Sequence, residues 1–150
     1  MANHVASLIG PEEGERFTVG PLAIRTLVAG SQSGGAFEMY EVELGVATVD
    51  YHVHERMDET IHVIEGEIEF VVAGEKFARP AGSVAFIPRG IHHGFSNLGP
   101  GSARVVIVFS PSGDQDAYFK ALESALATGY ASSIPELQAK YDQALVPADS

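Results

Sequence analysis

Hydrophobic and polar residues alternate with a period of two through most of the chain up to residue 110, the pattern of strands with one buried face. The cleanest case is 36–44, where Phe37, Met39, Glu41 and Glu43 share one face and Glu38, Tyr40, Val42 and Leu44 the other, a strand with a wetter and a drier side. Strand-like runs precede it at 16–19 and 22–29, before the loop Gly30-Ser31-Gln32-Ser33-Gly34-Gly35. Further runs lie at 46–54, at 59–64 with Glu59, Ile61 and Val63 inward, and at 68–72 with Ile68, Phe70 and Val72 alternating. Residues 73–76 close a hairpin, and strands at 84–87, 91–95 and 104–109 complete the series. The last, Arg-Val-Val-Ile-Val-Phe, reads as a strand buried on both sides. Eight or more short strands punctuated by Gly and Pro predict an all-β sandwich or barrel.

Past Ser110-Pro111-Ser112-Gly113 the period changes. Residues 114–128 are helical in pattern, with Tyr118, Leu122 and Ala125 on one stripe and Gly129 as the stop. Ser133-Ile134-Pro135-Glu136 has the form of a capping box and opens a second helix that carries Leu137, Tyr141 and Leu145 and ends at Pro147. The expected layout is a β domain over 1–110 and a helical extension over 111–150, packed outside the β domain or on a partner subunit. No internal repeat or second domain is evident.

Composition narrows the function classes. A chain of 150 residues suits one domain with a substantial core, and the absence of Cys excludes disulfides, thiolate zinc sites and a cysteine nucleophile. The net charge of −11 argues against nucleic acid and anionic membranes as partners. The first residues lack the basic and apolar regions of a signal peptide, and no run approaches the roughly 18 apolar residues of a membrane span. A cytoplasmic protein without membrane or nucleic-acid partners is expected.

The candidate chemistry lies within 45–97: His52 and His54, Glu59, and His93. Residues two apart on a strand point the same way, so His52 and His54 can reach one ion. Three imidazoles and a carboxylate suit one divalent transition metal, whether Fe, Ni, Mn, Cu or Zn. Four protein ligands leave one or two positions open on a five- or six-coordinate ion, the mark of a reactive metal. His62 and His92 fall out of phase with the ligand face and read as outer-face residues; His4 lies in a tail. Asp58 competes with Glu59, but the spacing favours Glu59. Tyr51 falls opposite His52, although a hydroxyl turned inward would offer an acid to carbonyl chemistry. Phe37, Met39, Tyr40, Phe70, Phe86, Phe95 and Phe109 are candidates for an apolar substrate cavity, with core packing the simpler role. Tyr118 and Phe119 would either cap the barrel mouth or pack in a core or dimer contact.

The stretch G-x6-H-x-H-x4-E-x6-G (Gly45, His52, His54, Glu59, Gly66) resembles the first motif of the cupins, and G-x5-P-x-G-x2-H-x3-N (Gly82, Pro88, Gly90, His93, Asn97) their second. The first gap is one residue longer than is usual in the family. The resemblance covers 36–110 and implies a double-stranded antiparallel β-barrel, or jelly roll, commonly dimeric, with one metal held inside. On it, His52, His54, Glu59 and His93 are the ligands, while Gly66, Gly82, Pro88, Gly90 and Asn97 shape turns. Asp-Glu-x3-Val-Ile-Glu-Gly-Glu around Glu59, Ser-Pro-Ser-Gly after the last strand and the helices that follow resemble single-domain cupins of the quercetinase type. That likeness implies a dioxygenase acting on an enolic, flavonol-like aromatic small molecule, with Glu59 as both ligand and base. The chain departs from that type in carrying Val49-Asp50-Tyr51, not prolines, before His52. The fold hosts two other classes: a non-oxidative isomerase, lyase or polyketide cyclase using the metal as Lewis acid, and a non-catalytic small-molecule-binding protein.

Overall fold

Two antiparallel sheets, face to face, form a jelly-roll barrel in the computed structural model, which describes residues 5–129 and 131–150. One sheet holds β1 (Arg16–Val19), β2 (Leu22–Val28), β3 (Glu38–Leu44), β5 (Asp58–Glu65), β8 (Val84–Ile87) and β10 (Ala103–Ser110), in the order β1-β2-β3-β10-β5-β8. The other holds β4 (Ala47–Val53), β6 (Glu67–Val72), β7 (Glu75–Pro80), β9 (His93–Asn97) and a two-residue β11 (Ala144–Leu145), in the order β11-β4-β9-β6-β7. Inward positions follow the alternation of the sequence: Tyr40, Val42 and Leu44 of β3, Ile61 and Val63 of β5, Ile68 and Phe70 of β6 make the core. The strand β7 completes the hairpin with β6, with Phe70 opposite Phe77. Its weak apolar pattern, with five of six residues exposed, hides it from sequence reading.

The turn between β5 and β6 consists of Gly66 alone. Its φ of 82° lies in the left-handed region, and a Cβ there would sit 2.9 Å from Cβ of Ala103. Both facts demand glycine. Asn97 works similarly at the same end of the barrel. Its amide donates to the carbonyls of Leu44, Gly45 and Gly101 at 3.2, 3.1 and 2.8 Å, pinning two loops together.

Two expectations need correction. Strand β10 is covered on one side only: Val105, Ile107 and Phe109 are buried, but Val106 and Val108 are half-exposed on the outer face. The second helix, α2 (Ile134–Lys140), stops one turn after Pro135 and does not run to Pro147. Asp142 takes a left-handed conformation (φ 63°), which breaks the helix, and Ala144 and Leu145 then pair with Val53 and His52 of β4. The apolar residue that looked like a helical stripe at Leu145 is a strand residue, because an open edge of β4 was there to satisfy its backbone. Ser133 keeps helical backbone angles (φ −85°, ψ −8°), so α2 continues from a short 3-10 turn and does not start from an extended cap.

Helix α1 (Gln115–Thr128) ends at Gly129 as expected and lies across the barrel opening. Its start is held by the fully buried Glu38. That carboxylate accepts hydrogen bonds from the backbone N–H of Gly113 (2.6 Å) and Gln115 (2.8 Å), Oγ of Ser112 (2.8 Å) and the Tyr40 hydroxyl (2.5 Å). The N-cap residue Asp114 makes no side-chain cap, so Glu38 caps α1 from another element and binds negative charge at its positive end. Burial, and then the neighbouring Glu38, push the Tyr40 phenol far above its ordinary pKa, so it stays a donor. Among the described residues no helix is long and apolar enough to cross a membrane.

Candidate metal centre

Four inward side chains meet at one end of the barrel. His52 closes the inward set of β4 directly across from His93, the first residue of β9. His54 follows β4, and Glu59 heads the inward ladder Glu59, Ile61, Val63 of β5. All four are buried, and one ligand atom from each lies within 4.8 Å of the others. Nε2 of His52 is 3.1 Å from Nε2 of His54; Oε1 of Glu59 is 3.0 Å from Nε2 of His54 and 2.8 Å from Nε2 of His93.

The Nδ1 atoms decide what these contacts are. Each faces a backbone carbonyl: Asp50 for His52 (2.6 Å), Asp142 for His54 (2.8 Å) and Ile91 for His93 (2.9 Å). A carbonyl only accepts, so each Nδ1 carries the proton, and in a neutral ring Nε2 is left as a lone pair. Three lone pairs and a carboxylate oxygen then face one another across about 3 Å, which is repulsive unless a cation lies among them. Donor atoms sharing one ion at bonds of about 2.0–2.2 Å are about 3 Å apart when adjacent. The donor set and its spacing fit a cupin-type metal site, and the carbonyls supply the backing that fixes ligand tautomers in such sites.

The electrostatics agree. Burial, reinforced by His93, pushes the His52 pKa down to about 4 against the pull of Glu59. For His54, burial opposes charge, but the Glu59 hydrogen bond and charge outweigh it and raise the pKa. Burial alone would raise Glu59, yet a ring of His54 or His93 that carries a proton on Nε2 donates to its carboxyl and holds it well below the usual carboxylate range. A proton on one nitrogen relieves one contact; a divalent ion relieves them all.

The additional residue in the first motif has a place. The register between β4 and β9 pairs Val49 with Phe95 and His52 with His93, so β4 spends one residue more than β9 over this interval. This β-bulge switches parity, turning both Val49 and His52 toward the interior, and the carbonyl of Asp50 inside it is the partner of His52 Nδ1. Gly94 makes the bulge possible. A Cβ at Gly94 would lie 2.8 Å from the carbonyl oxygen of Val49 and 3.3 Å from Cα of Tyr51. Sequence reasoning passed over Gly94, though a lone glycine within a strand is the known signal of a bulge or close backbone approach.

The other candidates separate. His62 is exposed on the outer face of β5, and His92 is half-buried outside the site, its Nδ1 2.9 Å from Oγ of Ser150. Asp58 points away and is gripped by Arg89 at 3.1 and 3.2 Å, whose hydrogen bonds lower its pKa. The Tyr51 hydroxyl accepts the backbone N–H of Gly74 at 2.9 Å, so it does not turn inward. His4 lies outside the described residues. Beside the four side chains is a chamber of about 180 Å³. Val42, Phe95, Ile107 and Phe109 wall it from the barrel, and Tyr118 and Phe119 of α1 cover it. Gln138, Gln143 and Leu145 complete it from the C-terminal segment. Of the aromatic candidates, Tyr40 and Phe70 are core, while Phe86 is 61% exposed on β8 and lines nothing.

Comparison with known proteins agrees with the architecture. Residues 38–109 match the family model described as Cupin domain, and the chain has the cupin fold. Quercetin 2,3-dioxygenase of Bacillus subtilis (strain 168) is 30% identical over 89 residues, 59% of this chain and 26% of that protein. Polyketide synthase CurC of Streptomyces cyaneus is 35% identical over 63 residues, 42% of this chain and 41% of that protein. The chain thus spans well under half the length of either curated relative. Among solved structures, KdgF from Halomonas sp. superposes with a TM-score of 0.67 at 24% identity, covering 75% of this chain and 99% of that one. The polyketide cyclase RemF from Streptomyces resistomycificus gives 0.64 at 22%, covering 72% and 81%. These two likenesses establish the shared fold.

Gly94→Ala tests the bulge. The new methyl meets backbone, which cannot rotate away, so a stability loss of roughly 1–3 kcal/mol is expected in urea denaturation of the metal-free protein. Metal affinity should fall with it, because His52 is displaced. Unchanged stability and metal binding would show that β4 relaxes freely around the methyl.

Proposed function

We propose that this protein is a metal-dependent dioxygenase that takes an enolic aromatic small molecule into the chamber beside His52, His54, Glu59 and His93. The observation that carries the reading is the juxtaposition of a buried, cation-demanding cluster with an apolar chamber walled by Phe95, Phe109, Tyr118 and Phe119. Partial likeness to a quercetin dioxygenase supports the substrate class. The bound ion would supply Lewis acidity toward an enolic oxygen and, where redox-active, a route for electrons to oxygen.

The remaining work falls to the chain itself. Glu59 Oε1 is engaged by two imidazoles, and Glu59 lines the chamber, so its second oxygen is the one placed to take an enolic proton. Beside the bound cation that carboxyl would stay ionised and therefore able to accept. Apolar walls orient a flat substrate and keep bulk water from the cluster. A non-oxidative cyclase is the second reading, favoured by the partial likeness to CurC.

Purified protein is expected to carry about one divalent ion per chain by elemental analysis, and His52→Ala or His93→Ala should strip most of it. Full occupancy in either variant overturns the ligand assignment. In an oxygen electrode, flavonols and other enolic aromatics should drive oxygen uptake that Glu59→Gln reduces at least tenfold. Turnover that continues undiminished without oxygen assigns the protein to the cyclase class instead.

We also propose a homodimer built on the outer face of the six-stranded sheet. A solvated antiparallel sheet carries polar residues outward. Here Val84 and Phe86 are about 60% exposed on edge strand β8, beside the half-exposed Ile64, Val106 and Val108. A twofold pairing of that face on a second copy covers both the patch and the open β8 edge. Light scattering behind size exclusion should give twice the 15.9 kDa chain mass, and Phe86→Glu with Val106→Lys should return a monomer. A monomeric parent protein refutes it.

A further inference from the structure

We propose that Asp142, in the C-terminal arm that follows α2, is a positioning residue of the metal centre; this rests on the metal reading above. The arm is joined to the ligand strand at every point where it passes. The backbone carbonyl of Asp142 accepts the Nδ1 proton of His54 at 2.8 Å. Its carboxylate oxygens accept the backbone N–H groups of Glu55 and Arg56, each at 2.8 Å, so one residue clamps His54 from its ring and from the chain that follows it. On the far side, Ala144 and Leu145 pair with Val53 and His52, and the Val146 N–H donates to the Tyr51 carbonyl at 3.2 Å.

The clamp is costly to build and well braced, which distinguishes it from a chain end resting on a barrel. Asp142 holds a left-handed backbone (φ 63°), a conformation a non-glycine residue keeps only when its surroundings enforce it. The enforcement comes from Gln115, which is fully buried. Its Nε2 donates to the carbonyl of Tyr141 at 2.9 Å, and its Oε1 accepts Nε2 of Gln143 at 2.7 Å, fixing the residues on both sides of Asp142. The backbone N–H of Gln115 is itself held by Glu38. A continuous run of buried and part-buried hydrogen bonds therefore leads from the β3 carboxylate through the start of α1 to the ring of His54.

His52 and His93 take their Nδ1 partners from carbonyls two residues before them in the chain, whereas His54 depends on a carbonyl 88 residues distant. Loss of the arm's grip should cost this ligand its ring orientation while the barrel stays folded. Coupling is reciprocal: an ion that orders His54 must also order the arm.

The test uses the full chain, stripped of metal with a chelator and titrated with Co(II), read by visible absorption and calorimetry. Asp142→Ala is expected to weaken Co(II) binding about 10–100-fold, the usual effect of removing a ligand's supporting partner, and to change the Co(II) absorption bands. Asp142→Gly, which keeps the left-handed backbone without the carboxylate, provides the same test should alanine unfold. Asp142→Asn, retaining one acceptor oxygen, should recover part of the affinity. In hydrogen exchange, Co(II) should slow the amides of 141–146 in the parent protein and not in Asp142→Ala. A folded Asp142→Ala or Asp142→Gly variant with parental Co(II) affinity and spectrum overturns the proposal and leaves the metal centre standing. A parent protein that takes up no more Co(II) than His52→Ala removes the metal reading, and this proposal with it.

Discussion

Everything at the metal-site end of this barrel answers to one electrostatic constraint. Three imidazole nitrogens and a carboxylate oxygen lie within 4.8 Å of one another in a buried space, with three of the contacts at 2.8–3.1 Å, and each ring has its other nitrogen committed to a carbonyl. Rotating any ring to escape the crowding would forfeit a buried hydrogen bond and leave a carbonyl unsatisfied. The groups are thereby held in an arrangement that is poor by itself and good around a cation. The apparent flaw of the metal-free cluster is the feature that defines it.

Holding four acceptors in that way requires support from four directions. Strand β5 brings Glu59 at the head of a core ladder, so the packing of Ile61 and Val63 fixes it. Strand β9 places His93, and the bulge in β4, admitted by Gly94, turns His52 inward and backs it with a carbonyl. The fourth support comes from beyond the barrel. Glu38, Gln115 and Asp142 connect β3, α1 and the C-terminal arm into one hydrogen-bonded frame that reaches His54. Helix α1, α2 and the arm supply Tyr118, Phe119, Gln138, Gln143 and Leu145 to the chamber. Closing the chamber and orienting a ligand are therefore tasks of one structural unit.

The apolar outer face of the six-stranded sheet belongs to a different economy. It lies on the opposite side of that sheet from the site, since Val106 and Val108 alternate with the interior residues Ile107 and Phe109. In the proposed dimer, substitution there would change association without reaching the cluster through the core.

Most of the barrel was legible because alternation is local. Each strand of period two declares its inner face, and Glu38, Tyr40, Val42, Leu44, Glu59, Ile61 and Val63 all lie where the pattern puts them. The shared face of His52 and His54 is likewise written in local spacing, whereas their meeting with Glu59 and His93 takes the bulge and the pairing of β4 with β9. The exclusion of His62 follows from the same parity. Tertiary structure alone decided the rest. A bulge looks in sequence like one residue too many; only the close approach of Gly94 to Val49 shows where that residue goes. Leu145 has a helical spacing from Leu137 and Tyr141, yet an unpaired edge of β4 offered its backbone better partners. Asp142 and Gln115 carry no motif at all. Their meaning is a set of contacts across 77 to 88 residues of chain, and contacts of that range leave no period for a sequence to display.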